Sequence, residues 1–349
     1  MKPAGLSLRL ARLAAAAAAA AALPAPALAQ DKGSLNLLCS VELEWCAAMS
    51  GAFEKETGIK VNMVRKSSGE VLAQLTAERA NPKTDVWFGG TGDPHLQAAE
   101  QDLTLAHQSP LLARQRDWAQ RLAQAAGNRS VGVYLGPLGL AYNPEVLARR
   151  KIAPPRCWKD LLRPEFKGEL QNSNPNSSGT AYTAIATFVQ LFGEEAAFDY
   201  MKALHRHTTE YNRSGAGPVK NAARGETGVA IGFLALAAGE IKQGLPLKTV
   251  VPCEGTGYEI GAMSLVKGAR NLDNARRFYE WSLTAPAQQL AASTGSFTVP
   301  SNQDTPLHPL TPPVAEMKFI TYDLKKFGSK EERTRLIARW DREVAQAPK

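Results

Sequence analysis

The chain has 349 residues, 41 Lys+Arg against 33 Asp+Glu for a formal net charge of +8, and is 44% hydrophobic and 21% charged. That apolar share supports real cores over a length suited to two domains, which excludes a disordered or fibrous chain. Basic residues are scattered, with no long run and no interleaved aromatics, which argues against a nucleic-acid partner, and no Cys-x-x-Cys or Cys/His spacing suggests zinc.

Residues 1–29 read as a cleavable export signal: Lys2, Arg9 and Arg12, then the apolar run 13–23, then Ala27, Leu28 and Ala29 as an A-x-A site. No Cys follows that site to take a lipid, no twin Arg precedes the run, and no later stretch approaches the roughly 20 apolar residues that span a bilayer. The expectation is a periplasmic protein starting at Gln30, with a charge of +5 once the three basic residues of the signal are removed. Four Cys in an oxidising compartment point to disulfides. Cys39 and Cys46 would close a short loop and Cys157 and Cys253 would tie distant positions, although four Cys allow three pairings.

Along the chain, 34–38 reads as a strand, 45–57 as a helix, 60–64 as a strand, and 67–80 as a helix opened by the capping box Ser67-x-x-Glu70. A strand at 85–88 runs into the turn Gly89, Gly90, Thr91 and Gly92, and then into a helix capped by Asp93 and opened by Pro94. After a strand at 131–134, Gly136, Pro137 and Gly139 lead to 140–143 and a Pro-rich stretch at 152–156, which reads as a crossing into a second lobe. There 178–192, 198–205 and 215–224 read as helices, and 228–233 and 247–251 as strands. Residues 252–257 return the chain to a strand at 260–266 and helices within 272–291; a charged amphipathic helix at 329–345, capped by Ser329, packs on the outside. The alternation predicts an α/β protein of two lobes, each a largely parallel sheet flanked by helices. Lobe 1 takes 30–138 and 258–349 and lobe 2 takes 139–257, with hinge crossings near 136–143 and 252–260.

In open parallel sheets, ligands sit beyond the carboxyl ends of the strands. Polar turns fall there at 39–44, 66–69, 89–91, 174–180, 212–217 and 254–256. The segment 172–182 is the most informative: Asn, Ser and Pro form a turn, Ser177 or Ser178 caps the following helix, and Gly179 and Thr180 leave room for an anion at its free N–H groups. An ordinary capped helix start is the competing explanation. Ser40, Ser67, Ser68, Gly90 and Thr91 supply donors from the first lobe, while Arg213, beside Ser214, offers a bidentate partner for an anion or a surface ion pair. His205 and His207 fall at a helix end, where a spacing of two shares no face, and Gly-x-Ser-x-Gly is absent, so neither a metal site nor an enzyme is expected.

The strings Asp85-Val86-Trp87-Phe88-Gly89-Gly90-Thr91-Gly92-Asp93, Asn212-Arg213-Ser214-Gly215, Trp158-Lys159-Asp160-Leu161-Leu162 with Pro164-Glu165-Phe166-Lys167-Gly168, and residues 252–261 resemble exported solute-binding proteins of ABC importers. The resemblance is to the branch of ferric-iron and sugar-phosphate binders and covers essentially the whole chain after the signal. It implies a monomeric type II periplasmic binding protein, two-lobed and hinged, that closes on a solute and delivers it to a membrane permease, with no cofactor. Ferric binders of this branch place neighbouring tyrosines just after a second-lobe strand. Here 228–233 is followed by Leu234, Ala235, Leu236, Ala237 and Ala238, and the first-lobe His and Glu ligands lack clear counterparts, although Glu42 or Glu44 offers a carboxylate. Sugar-phosphate binders share Phe233-Leu234 and Glu254-Gly255-Thr256 but follow the Phe-Leu with a His-Asp pair, replaced here by Ala235 and Leu236. The resemblance therefore implies a small phosphorylated or phosphonate anion, with Phe233, Glu254 and Thr256 in the site and Glu254 accepting from a ligand amine or hydroxyl. A ferric-ion binder, a ligand-sensing subunit of a signalling system and a secreted enzyme are the alternatives.

Overall fold

The computed structural model describes residues 33–349, so the expected signal at 1–29 lies outside the described residues. In chain order the elements are β1 (Ser34–Cys39), α1 (Leu43–Thr57), β2 (Lys60–Arg65), α2 (Ser68–Ala77), β3 (Val86–Thr91), α3 (Gly92–Glu100), β4 (Thr104–Leu105), α4 (Asp117–Ala125), β5 (Val131–Tyr142) and α5 (Pro144–Arg150). There follow β6 (Leu170–Ser173), α6 (Gly179–Phe192), α7 (Glu194–His205), β7 (Thr208–Asn212), α8 (Gly217–Ala223), β8 (Val229–Phe233), α9 (Leu234–Lys242), β9 (Lys248–Val250) and β10 (Tyr258–Val266). The last are α10 (Leu272–Ser282), α11 (Ala285–Ser293), β11 (Val299–Pro300), α12 (Leu324–Phe327) and α13 (Lys330–Trp340). Among the described residues no helix is long and apolar enough to cross a membrane.

The main strand order is β2-β1-β3-β10-β5-β8-β6-β7. The expectation of largely parallel sheets holds only on the two flanks, where β1 pairs in parallel with β2 and β3, and β6 with β7 and β8. The centre is antiparallel: β10 runs against β3 and β5, and β5 against β8. Flanking strands are linked through helices, which allows parallel pairing, whereas β5 and β10 carry the chain between the flanks in opposite directions. Gly136, Pro137 and Gly139 do not interrupt β5 as expected. The strand changes partners there, with Leu135 opposite Ile260 and Leu138 opposite Phe233. A Cβ on Gly139 would lie 2.7 Å from the Val250 carbonyl, so this position needs glycine for the close approach of β9.

The two halves of β5 also enter different cores. Val131, Val133 and Tyr134 pack with Leu35, Phe53, Met263 and Phe278, while Leu138, Leu140 and Tyr142 pack with Trp158, Phe166, Phe188 and Phe198. Tyr322, Phe327, Leu336, Trp340 and Val344 belong to that second core. The C-terminal helix is amphipathic as expected, and its inner face joins this second core. The burial of Leu336 and Trp340 fixes its inner face, and Arg335 and Arg339 pair outside with Glu194 and Glu195.

The structure contains the disulfides Cys39–Cys46 and Cys157–Cys253. Ser67 caps α2 in a capping box with Glu70, and Ser329 accepts from the Glu332 N–H. A further local expectation fails. Gly89, Gly90 and Thr91 are the end of β3 rather than a turn, and α3 starts at Gly92 with Thr91, not Asp93, at its cap. Left-handed backbone at Gly89 and Gly90 (φ 75° and 82°) lets the strand end beneath Ser68, whose Oγ would lie 2.2 Å from a Cβ on Gly90.

Candidate functional site

The carboxyl ends of β1, β2, β3 and β8 and the N-terminus of α6 meet at one cavity, backed by β5 and β10. Its volume is about 50 Å³. Among the expected residues, Ser40, Ser67, Ser68, Gly90, Thr91, Ser178, Gly179, Thr180 and Phe233 line it. Residues from both flanks of the sheet thus share one wall.

Several of these donors are already engaged. Ser40 Oγ accepts from Trp87 Nε1 at 2.9 Å, and Ser68 Oγ accepts from the Thr91 N–H at 3.2 Å. Others are free. Thr91 Oγ1 and Ser178 Oγ are 2% and 1% exposed by residue and have no hydrogen-bond partner in the protein, and neither has the buried indole Nε1 of Trp45. Ser178 occupies the N-cap of α6 without making a side-chain cap bond, so the first N–H groups of that 14-residue helix and this hydroxyl point to the same end. Buried polar groups are ordinarily paired, so unpartnered ones on a cavity wall mark a place for a ligand or water.

Gly179 fixes how closely the flanks approach: a Cβ there would sit 2.0 Å from Thr91 Oγ1. The rim is tied by the Gly69 N–H donating to the Ser177 carbonyl at 3.2 Å and by Ser67 Oγ donating to the Arg213 carbonyl at 3.4 Å.

Five expected residues lie off the cavity. Arg213 is exposed and paired with Glu70, because its turn points to the outer rim. Burial pushes the Glu70 carboxyl up, but the Ser67 N–H and Arg213 outweigh it and hold it below the usual range. Ser177 Oγ is spent on the Arg213 carbonyl at 2.9 Å, and Ser214 Oγ accepts from Arg65 Nη2 at 3.4 Å. Glu254 accepts the Trp158 and Lys159 N–H groups at 2.8 and 3.0 Å, capping a 3-10 helix beside the Cys157–Cys253 bond. Thr256 is fully buried, with Oγ1 donating to the Leu138 carbonyl at 2.8 Å.

The cavity also holds residues absent from the expected set: Arg65, Glu42, Trp45, Tyr134 and Glu259 among them. Arg65 ends β2 immediately before an expected polar turn, a signal that was present. Its guanidinium is held by Nε donating to the Val41 carbonyl at 3.0 Å and Nη1 to Ser67 Oγ at 3.3 Å. Tyr134 and Glu259 sit within strands and reach the site only through the β5–β10 register. Burial, with the charge of Glu42 nearby, lifts the Glu259 carboxyl well above its ordinary range, and burial lifts Glu42 as well. Burial and both carboxylates push the Tyr134 phenol up.

Among the described residues, the one cluster of three His, Cys, Asp or Glu with ligand atoms close together is Cys157, Cys253 and Glu254, and its two sulfurs are bonded to each other.

Residues 85–326 match the family model described as a bacterial extracellular solute-binding protein. The chain is 43% identical to an uncharacterized protein of Haemophilus influenzae, over 91% of this chain and 93% of that one. It is 28% identical, over 70% of each chain, to a periplasmic protein of Salmonella typhimurium whose name proposes 2-aminoethylphosphonate binding. The fold matches the periplasmic binding protein AfuA of Actinobacillus pleuropneumoniae, solved with fructose-6-phosphate, with a TM-score of 0.88, 46% identity and coverage of 90% of this chain and 100% of that one. A match over most of the length, with a cavity at the strand ends where such proteins are expected to hold their solute, leaves one assignment: the chain belongs to the bacterial extracellular solute-binding proteins and has the periplasmic binding protein fold.

Proposed function

We propose that this protein captures a small phosphorylated or phosphonate solute in the periplasm and delivers it to the permease of an ABC importer. The observation that carries the reading is the convergence of two unpartnered buried hydroxyls, Thr91 and Ser178, with the N-terminus of α6 and the Arg65 guanidinium. A helix N-terminus is worth up to about 2 kcal/mol to an anion in a partly buried setting, and guanidinium adds charge-assisted hydrogen bonds. The solutes named for AfuA and for the Salmonella relative both carry such a group.

Two lobes hinged at 136–143 and 252–260 account for the design of the site, with the C-terminal helix moving as part of the second lobe. A ligand held by Thr91 on one side and Ser178 on the other binds the closed form better than the open one, which is the differential affinity closure requires. The ferric alternative is less favoured. Tyr134 is the one tyrosine on the cavity wall among the described residues, and burial beside two carboxylates opposes the phenolate that Fe(III) prefers. Binding without turnover is the expected behaviour, in line with the binding proteins among its relatives.

Thermal shift and calorimetry on the mature protein test the reading, because a ligand bound to the native state raises its melting temperature by mass action. Phosphate monoesters and phosphonates should stabilise it, and dicarboxylates should not. Stabilisation by ferric citrate with a visible charge-transfer band, and none by any phosphate ester or phosphonate, rejects it.

A further inference from the structure

We propose that His95, buried outside the cavity, is a positioning residue for solute binding: as its Nε2–H tautomer it fixes the Gly89–Gly90 peptide with the carbonyl away from the solute and the N–H toward the cavity wall. The inference rests on the phosphorylated-anion reading above and concerns a residue that lines no part of the cavity.

Gly89 and Gly90 lie at the end of β3, where its pairing with β10 shifts from Phe88–Met263 to Thr91–Gly261. Such a bulge disrupts the ladder locally, so the peptide between the two glycines needs another contact to set its orientation. Both have left-handed backbone, φ 75° and 82°, which glycine adopts without strain, and two glycines in a row let the peptide between them turn over at little cost. In a trans peptide the carbonyl and the N–H point in opposite directions, so a contact on either group fixes both. Here the Gly89 carbonyl accepts from His95 Nε2 at 3.1 Å, and the Gly90 N–H donates at 3.2 Å to the hydroxyl of Tyr134, which lines the cavity. Turned over, the peptide would present its carbonyl oxygen to the cavity side, where it repels an anion.

The surroundings of the ring leave it one protonation state. A carbonyl oxygen only accepts, so Nε2 carries the proton. Burial pulls the imidazole down to about 3, which keeps it neutral and leaves Nδ1 as an acceptor. Ser264 Oγ lies 2.7 Å from Nδ1 and donates to it, and Ser130 Oγ, 2.7 Å from Ser264 Oγ, donates in turn to that hydroxyl. All three residues are fully buried. An ordered relay from the residue before β5, through β10, to α3 thus holds a single tautomer. The ring also stacks on Trp87, with centroids 3.6 Å apart and planes 19° apart, and Trp87 Nε1 is the donor to Ser40 Oγ. With that oxygen accepting from the indole, the Ser40 proton is free to point into the cavity. A side chain that only filled space here would need neither ring nitrogen.

The test uses the mature protein and its variants His95→Gln, His95→Asn and His95→Leu. Nitrogen-15 shifts of the imidazole should show Nε2 protonated and Nδ1 bare at neutral pH, and the Gly90 amide should exchange roughly tenfold faster in His95→Leu than in the wild type. In titration calorimetry with ethyl phosphate and methylphosphonate, His95→Leu and His95→Asn should lose roughly tenfold to hundredfold in affinity, the range for a hydrogen bond to a charged group. Gln places an amide N–H where Nε2 stands and should restore affinity to within roughly threefold of the wild type, whereas Asn is too short to reach the Gly89 carbonyl. Thermal unfolding reports packing separately: a packing role makes affinity follow melting temperature and gives Gln no advantage over Leu. A proton on Nδ1, wild-type affinity in His95→Leu, or no recovery in His95→Gln overturns the inference and leaves the phosphorylated-anion reading standing. Binding of neither probe by the wild type rejects that reading instead, and the tautomer and the Gly90 exchange then decide the inference alone.

Discussion

Tyr322 directs its hydroxyl at both carboxylate oxygens of Asp93, 3.5 Å from each, and so links the chain leading into the C-terminal helix to the start of α3, two residues past the free hydroxyl of Thr91. Arg333 lies in the same buried cluster, its guanidinium 4.6 Å from the Tyr182 ring centroid and its Nη2 donating to the Pro175 carbonyl at 3.2 Å. Pro175 belongs to the loop that feeds Ser178. The C-terminal helix therefore braces the loop before α6 from behind.

Burial raises Asp93 from the ordinary carboxylate value to about 7, although Arg333 opposes the rise. A group whose folded pKa lies above its unfolded value contributes stability that is complete below the unfolded pKa and is lost as pH rises through the folded one. Urea stability should therefore fall between about pH 4 and pH 7, by at most ~4 kcal/mol for a three-unit shift. In Asp93→Asn that contribution should be absent. A stability profile of the variant that falls as steeply as the wild type's would show that another group is responsible.

Thr91→Val and Ser178→Ala remove hydroxyls that have no partner in the protein, so neither breaks an internal hydrogen bond. Each should weaken solute binding by about 1 to 1.5 kcal/mol, roughly five- to tenfold, while leaving the melting temperature of the free protein unchanged or raised. Unchanged affinity in both would remove these hydroxyls from the site.

Arg65 and Arg213 should behave differently although both are arginines near the rim. Arg65→Ala takes a positioned guanidinium from the cavity wall and should cost more than tenfold in affinity, in line with a charge-assisted contact. Arg213→Ala breaks an exposed pair with Glu70, worth about 0.2–1 kcal/mol to closure, so its effect should stay within roughly fivefold and shrink in salt. The reverse order by calorimetry would return the anion contact to Arg213.

These contrasts mark where sequence reading succeeds and where it stops. Ser67, Ser68, Thr91 and Ser178 were legible because small polar residues beside glycine at the carboxyl ends of strands have few other reasons to cluster. Arg213 and Glu254 carried the same signal for another reason: a polar side chain in a Gly-rich turn looks alike whether it meets a ligand, a carboxylate or the orphan N–H groups of a short helix. Tyr134 and Glu259 had no local signal at all. They face the cavity because β5 and β10 pair with Glu259 opposite Gly136 and Gly261 opposite Tyr134, and antiparallel register is a long-range property that period-2 patterning does not fix. Strands β1, β2 and β3 and helices α1, α2 and α6 followed from periodicity; the short polar strands β6 and β7 carried no apolar run to announce them, and the antiparallel centre was missed because a buried strand reads alike in either direction.

Gly179→Ala separates folding from closure. The residue opens α6 with ordinary backbone angles, so alanine suits the helix and should keep or slightly raise the melting temperature, by up to ~1 kcal/mol of helix propensity. Where α6 meets Thr91 as it does in this structure, however, its methyl would stand 2.0 Å from Thr91 Oγ1, 2.9 Å from Thr91 Cβ and 2.9 Å from its Cγ2, a clash that a hydroxyl rotation cannot relieve. The variant should therefore fold but fail to close. Small-angle scattering should show the wild type compacting on addition of a phosphate ester and the variant retaining its open radius, with affinity lowered at least a hundredfold. Compaction of the variant equal to that of the wild type would mean that Thr91 and α6 do not meet when the protein holds its solute, and the two-sided clamp would have to be abandoned.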